Sequence, residues 1–309
     1  MQKITVLGAG TMGHGIAQNY ALAGFSVALY DLKTEYLSKA LSLINTNLTL
    51  LVQEERIDSA RKEEALNRIT VTTDLKEAVG DTDFITETII EVLDAKHQLY
   101  RQLDELVPEE VIIASNTSTF SLEQLTKSMK NSKRFIITHF FNPAQLVPLV
   151  EIVKRDETPE KVVDQTVALM KKIGKEPVVL QRDIPGFIAN RLQAALVREA
   201  FHLLEEGVAD AKSIDLALTA GPGFRWAFIG PLETADYGGL DIWKSVVENL
   251  APELSQAEKV PSFINEKISQ GKLGTKAGEG IYNYSETLVE KALEKRDRNF
   301  IRLGEIKGK

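Results

Sequence analysis

His139 stands at the end of an apolar run, RFIITHFFNP, and Glu151 lies twelve residues on, inside a second extended run, VPLVEIV. The Asn142-Pro143 turn separates them, so the two segments can lie side by side. A histidine and a glutamate so placed can form an oriented acid-base pair. The carboxylate fixes the imidazole tautomer and steadies the imidazolium that forms when the ring accepts a proton. A dense polar run, Ser115-Asn116-Thr117-Ser118-Thr119, follows the apolar VIIA segment. Hydroxyls and amides at a strand end are suited to orienting a reacting oxygen and stabilising negative charge on it.

The elements that must position these groups begin at the N-terminus. Lys3 to Leu7 is a β-branched run that breaks at Gly8, and Gly10 and Gly13 complete a G-x-G-x-x-G pattern. Met12, Ile16, Ala17 and Tyr20 then recur at helical spacing. Strand, glycine turn and helix together predict a dinucleotide site built by Gly8, Gly10, Thr11, Met12 and Gly13. The pyrophosphate would rest on the N-terminus of the following helix. Asp31 closes the next extended run, FSVALY, 18 residues after Gly13. A carboxylate there binds the ribose hydroxyls and repels a 2′-phosphate, which favours NAD over NADP, with Lys33 blunting the preference slightly.

Further strand-like runs at 69–72, 83–87, 111–115 and 134–139 alternate with helical stretches, which predicts a mostly parallel sheet with helices on both faces. Between Asp31 and Arg68, Leu37, Ala40, Leu41, Ile44, Leu48 and Leu51 recur at helical intervals, and a second helix is expected over about 59–67. The spacing predicts a helical hairpin inserted at about 34–68. The fold class expected is a Rossmann-type doubly wound α/β sheet (1–185) followed by an all-α domain (186–285) and a charged tail (286–309). That domain begins with FIANRLQAALVREAFHLLEEG, whose Gly207 reads as a C-terminal cap. The tail carries seven basic and five acidic residues and is read as a solvated helix.

Composition narrows the classes. A net charge of -7 argues against a general nucleic-acid binder. No run approaches the ~18 to 20 apolar residues of a membrane span, and the immediate entry into a strand leaves no room for a signal peptide. The absence of cysteine excludes disulfides and thiolate chemistry and agrees with a reducing compartment, so a cytoplasmic location is expected. The four histidines (14, 97, 139, 202) show no metal-ligand spacing, and no metal is expected. His14, His97 and His202 are read as surface or hydrogen-bond-satisfied histidines without a role in the chemistry.

Several separate motifs in order (GAGTMGHGIA, SNTS, HFFNP, PLVE, PGFIANR and GTKAGEGIY) give a chain that resembles the 3-hydroxyacyl-CoA dehydrogenase family over nearly its whole length. The resemblance implies His139 as catalytic base, Glu151 as its partner, and Ser118 and Asn190 as contacts to the reacting oxygen. It also implies NAD contacts from Asp31, Glu91, Lys96, Ser118, Asn142 and Lys276, and a homodimer formed by the helical domain. Asn116 is expected at the nicotinamide from its place after a strand end, where an open α/β sheet lines its ligand crevice. The expected substrate is a short-chain 3-hydroxyacyl-CoA.

Two departures keep a free hydroxy acid open as the alternative. In acyl-CoA-specific relatives the hairpin supplies serine and lysine contacts to the CoA nucleotide, whereas here Asn47 and Glu54 stand near those places. The hairpin region from Lys33 to Arg68 carries six basic and six acidic residues, so it offers no net attraction to phosphates. AQLVPLVE and the segment GPGFRWAFIGPLETADYGGLD are also similar to the L-gulonate dehydrogenase, lambda-crystallin and carnitine dehydrogenase group. There Arg225 is a candidate carboxylate ligand and Trp226 a candidate partner for a quaternary ammonium, with core packing the plainer role for the tryptophan. A non-catalytic NAD-binding structural or sensor protein is the remaining class, which the presence of all four catalytic-type residues opposes.

Overall fold

The computed structural model describes residues 1–284 and 289–307. The chain forms two compact units. The first comprises Met1–Ile188 and the C-terminal stretch from Asp297, and the second is Ala189–Arg296.

In the first unit the chain runs β1 (Lys3–Leu7), α1 (Gly13–Leu22), β2 (Ser26–Tyr30), α2 (Thr34–Gln53), α3 (Ser59–Asn67) and β3 (Ile69–Thr72). It continues through α4 (Leu75–Val79), β4 (Phe84–Glu87), α5 (Leu93–Leu106), β5 (Ile112–Ser115), α6 (Leu122–Thr126) and β6 (Phe135–Phe140). β7 (Leu149–Val153), α7 (Glu160–Lys172) and β8 (Glu176–Leu180) complete the sheet, whose order is β3-β2-β1-β4-β5-β6-β7-β8. The pairings are parallel except that of β6 with β7. The order of connection reverses between β1 and β4, which opens a crevice at their carboxyl ends.

Alternation of side chains builds a core on each face of this sheet. Ile4, Val6, Val27, Leu29, Phe84 and Ile136 pack on one face, with α1 and α2. Leu7, Tyr30, Ile85, Ile113 and Ile137 pack on the other, with α5 and α6. Neighbouring residues of one strand thus serve opposite cores, as the two-residue period requires.

The inserted hairpin is α2 and α3. Leu37, Ala40, Ile44 and Leu48 form a single buried stripe that joins the α1 side of the core. Asp58 starts α3 by accepting a hydrogen bond from Arg61 N at 2.7 Å.

The second unit contains α8 (Ala189–Glu205), α9 (Ala211–Ala220), α10 (Pro222–Trp226), α11 (Pro231–Gly238), α12 (Leu240–Leu250) and α13 (Ser262–Ser269). Gly207 follows α8 in the left-handed region at φ 66°, as a C-terminal cap does. Thr234 and Gly280 are the only buried residues among those described in this unit. Trp226 is 38% exposed, so the packing role open to it in sequence is not what the unit gives it.

Two boundaries differ from expectation. The first unit extends past Pro185 because Phe187 is buried and the Ile188 amide is bound by Glu151. The tail is helical, α14 (Val289–Lys307), but it is not simply solvated. Ile301 is buried, and Arg298 and Arg302, one helical turn apart, converge on Glu54 beyond the end of α2. Arg302 Nε donates to Glu54 Oε2 at 3.0 Å and Arg298 Nη2 to Gln53 Oε1 at 2.7 Å, while Arg56 pairs with Glu305 at 3.4 Å. These partners are more than 240 residues apart, beyond the reach of a local sequence pattern. The expected boundary at 285/286 and the last two residues of the tail lie outside the described residues.

Candidate active site

Antiparallel pairing of β6 with β7 sets His139 directly opposite Glu151. The imidazole Nδ1 lies 2.9 Å from Glu151 Oε2, and both residues are buried. Glu151 Oε1 accepts from the Ile188 amide at 2.8 Å, which fixes the carboxylate plane. On its other side His139 Nε2 lies 3.1 Å from Ser118 Oγ. The rings of Phe141 and Phe187 pack against the imidazole at 4.5 and 5.3 Å between centroids. A carboxylate, an imidazole and a hydroxyl therefore stand in line, with apolar rings limiting how the imidazole can turn.

Ser118 belongs to the loop after β5, and Glu91 holds that loop. Glu91 Oε1 accepts from Thr117 Oγ1, from Ser118 N at 3.2 Å and from Thr119 Oγ1 at 2.9 Å. Its other oxygen is 3.2 Å from Lys96 Nζ. Burial pushes the Glu91 carboxyl up, but the hydrogen bonds from Thr117 and Thr119 and the Lys96 charge outweigh it. The carboxyl therefore sits below its ordinary value. Lys96 is 1% exposed, with its ammonium also 2.7 Å from Glu87 Oε1. Asn116 Oδ1 accepts from the Phe140 amide at 2.8 Å, tying the same loop to β6. Asn142 is exposed at a cis peptide bond to Pro143, in the loop that leads from β6 to β7.

The glycine turn lies in the crevice beside β1 and β4. Gly8 has φ +101° and a Cβ there would meet the Thr88 carbonyl oxygen at 2.7 Å. A Cβ on Gly13 would lie 1.8 Å from the Gly8 carbonyl oxygen, so helix and strand can approach this closely only without a side chain. Nothing stands within 4 Å of a Cβ at Gly10, whose open side faces a cavity of 780 Å³. Gly8, Gly10, Thr11, Asp31 and Leu32 line that cavity, while Met12 is half-buried behind the turn. Asp31 Oδ2 accepts from the Ala9 amide at 2.8 Å and Oδ1 from the Leu32 amide at 2.7 Å. The carboxylate is thus oriented at the cavity wall, where ribose hydroxyls would meet it. His14 also lines the cavity. Burial, which favours the neutral ring, pushes its pKa down and outweighs the opposing hydrogen bond to the Gly10 carbonyl. Turn, cavity and carboxylate fit the ribose-pyrophosphate half of NAD.

Asn190 and Lys276 belong to the second unit. Asn190 is the second residue of α8 and half-buried. Lys276 is exposed and borders a smaller cavity of 480 Å³ with Lys267, Lys272 and Tyr282. Tyr282 donates to Asp215, which pushes its hydroxyl up to about 12. Among the described residues no cluster of three or more metal-ligating side chains occurs, and no helix is long and apolar enough to cross a membrane.

Sequence reasoning missed Glu87, Phe187 and Lys175. Glu87 ends a fully buried strand, and a charged residue inside FITE, nine positions before a lysine, was the available signal. Lys175 is buried, and its ammonium donates to the Ala144 and Val147 carbonyls at 2.6 and 2.8 Å, bracing the loop after Asn142-Pro143. Its position just after Gly174 carries no signal of this kind.

The doubly wound sheet, the nucleotide cavity and the buried imidazole-carboxylate pair define an NAD-dependent oxidoreductase. The model of the 3-hydroxyacyl-CoA dehydrogenase NAD binding domain matches residues 3–184, and that of the C-terminal domain matches residues 186–284. The chain belongs to the 3-hydroxyacyl-CoA dehydrogenase family. It is 32% identical to a 5-formyl-3-hydroxy-2-methylpyridine 4-carboxylate 5-dehydrogenase of Mesorhizobium japonicum, covering 99% of this chain and 98% of that one. It is 35% identical to the mitochondrial hydroxyacyl-coenzyme A dehydrogenase of Homo sapiens, over 92% of this chain and 91% of the relative. A solved structure of a 5-formyl-3-hydroxy-2-methylpyridine 4-carboxylic acid 5-dehydrogenase superposes with a TM-score of 0.92 at 31% identity, covering 100% of this chain and 99% of that one.

Proposed function

We propose that the chain interconverts a hydroxyl and a carbonyl on a small carboxylate substrate with NAD, using His139 as acid and base. The observation that carries this reading is the line Glu151–His139–Ser118, with contacts of 2.9 and 3.1 Å. NAD, when bound, supplies the hydride acceptor and, in reverse, the donor. His139 Nε2 removes the hydroxyl proton in oxidation and returns it in reduction. Glu151 keeps Nδ1 protonated and stabilises the imidazolium. The Ser118 hydroxyl orients the reacting oxygen, and Asn190 is the second donor by family resemblance. Glu91, Lys96, Asn142 and Lys276 are proposed cofactor contacts on the same basis, and Asn116 from its place in the loop after β5.

The C-terminal helix favours a small carboxylate over a CoA thioester. Glu54, near a place where acyl-CoA relatives are expected to meet the CoA nucleotide, is covered by Arg298 and Arg302 of α14, and its carboxyl is held below the ordinary value by hydrogen bonds from Arg302 and then Arg298. Those cations are engaged by Glu54, and Glu305 offsets Arg56 nearby. The pyridine carboxylate dehydrogenase also shares the full length of this chain, including the region of α14. Arg225, exposed on α10, is the proposed carboxylate ligand. The second reading is a short-chain 3-hydroxyacyl-CoA, supported by the 35% identity to a hydroxyacyl-CoA dehydrogenase.

A homodimer is part of the same reading. α8 exposes Leu192, Leu196 and Val197, and α12 exposes Ile242, Val246 and Val247. A unit with so little buried surface of its own needs apolar cover, and a second copy supplies it symmetrically.

The test follows NADH absorbance with acetoacetyl-CoA and free acetoacetate, and in the NAD-reducing direction with L-gulonate, L-carnitine and 5-formyl-3-hydroxy-2-methylpyridine 4-carboxylate. The aldehyde of the last offers a hydroxyl only after adding water to form the gem-diol, and is then oxidised to the acid. Turnover confined to free acids supports the proposal. Rapid turnover of the thioester alone replaces it with the second reading.

A further inference from the structure

One buried group beneath the site carries no role in the reaction as described: Glu87, ion-paired with the buried ammonium of Lys96. Glu87 is fully buried and all its polar capacity is used. Oε1 accepts from Lys96 Nζ at 2.7 Å and the Ile89 amide at 2.8 Å, and Oε2 accepts from Ser115 Oγ at 2.7 Å and from Tyr100 OH. Burial first, and the Glu87 charge second, push the Tyr100 hydroxyl well above its ordinary value, so it remains a donor. Lys96 is buried among carboxylates alone: Glu87 behind it and Glu91 in front at 3.2 Å. The front carboxylate gathers Thr117, the Ser118 amide and Thr119, and Ser118 Oγ lies 3.1 Å from His139 Nε2.

We infer that the buried Glu87–Lys96 pair is a positioning device for the reaction, holding Ser118 at His139 through Glu91. A buried ammonium is costly unless it is paired; one carboxylate, Glu87, balances its charge, and the fixed ammonium can then direct a second, Glu91. With Glu87 in place, the ammonium is fixed against the end of β4 and presents a defined edge to Glu91. Without Glu87 the ammonium has Glu91 as its sole carboxylate and draws it inward, away from the loop at 117–119. The Ser118 amide then loses its acceptor, and the hydroxyl loses its fixed distance from the imidazole. A displacement of about 1 Å at a reacting group can cost on the order of 100-fold in rate, so a residue that never touches substrate can govern turnover here.

The decisive readout is amide hydrogen exchange in the ligand-free protein, which does not depend on the reaction proposed above. Glu87→Gln is expected to speed exchange of the Ser118, Thr119 and Phe120 amides by at least about tenfold, while β1 and β2 keep their protection. In steady-state assays, where the inference rests on the proposed reaction, kcat falls by roughly 10- to 100-fold and substrate KM changes little. If Glu87→Gln does not fold, the Glu87→Gln/Lys96→Met double variant removes both buried charges; Glu91 then lacks the ammonium that anchors it, and loss of protection at 118–120 is expected by that route. Unchanged exchange at 118–120 in a folded variant overturns the inference, whether or not a substrate has been found.

Discussion

Glu151 Oε2 and His139 Nδ1 meet at 2.9 Å across the antiparallel pairing of β6 and β7 in an otherwise parallel sheet. That pairing makes the acid-base group. A parallel β7 would need a crossover, whereas the short return through Asn142-Pro143 brings residue 151 back opposite residue 139. A one-residue slip would send the glutamate to the other face of the sheet.

Glu151→Gln keeps the shape of the side chain and removes its charge. The imidazolium then has no counter-ion, and the amide no longer enforces one tautomer. We expect kcat to fall by about 10²-fold or more, with NADH affinity by fluorescence within about threefold of wild type. Equal kcat in the variant would remove Glu151 from the mechanism.

Asp31→Ser tests the nucleotide choice. The carboxylate is oriented by the Ala9 and Leu32 amides at the cavity wall, and charge-assisted hydrogen bonds to ribose contribute roughly 1.5–3 kcal/mol. KM for NAD is expected to rise about 10- to 100-fold while NADP becomes the better accepted of the two. An unchanged NAD/NADP ratio would place the ribose elsewhere.

Lys175 sets a pH dependence. Burial pushes its ammonium from 10.5 down to about 8. Between these values the unfolded chain holds a proton that the folded protein has released, so this group's contribution to stability rises with pH. The rise is at most roughly 3 kcal/mol. Urea unfolding of wild type and Lys175→Met from pH 7 to 10.5 should show the difference moving toward wild type as pH increases. A constant difference would contradict the buried cation.

The apolar stripes of α8 and α12 lead to an association prediction. Light scattering should give a mass near twice the 34.3 kDa of one chain. Leu192→Asp/Leu196→Asp should shift it toward monomer or precipitate the protein, because a charge in a dry interface costs several kcal/mol. A monomeric wild type at micromolar concentration would refute the homodimer.

The first unit was legible where pattern is local. The β1–α1–β2 order with Asp31 at its end follows from glycines and β-branched residues, and the hairpin from Leu37, Ala40, Ile44 and Leu48. The facing of His139 and Glu151 was readable because a proline turn joins two extended runs. What stayed hidden depends on distant partners. Glu54 reads as an exposed acid on the hairpin until Arg298 and Arg302 arrive from the other end of the chain. Glu87 and Lys96 read as two unrelated charges until β4 and α5 bury both. FIANRLQAALVREAFHLL displays an amphipathic stripe but carries no information on what covers it.

The most direct test of the central claim is single-site replacement of the imidazole. His139→Gln retains a polar side chain between Glu151 and Ser118 but cannot carry the proton. We predict kcat reduced by about 10²- to 10⁴-fold on whichever substrate wild type turns over, with NADH binding intact by fluorescence titration. A His139→Gln enzyme that binds NADH and turns over at the wild-type rate would contradict the account.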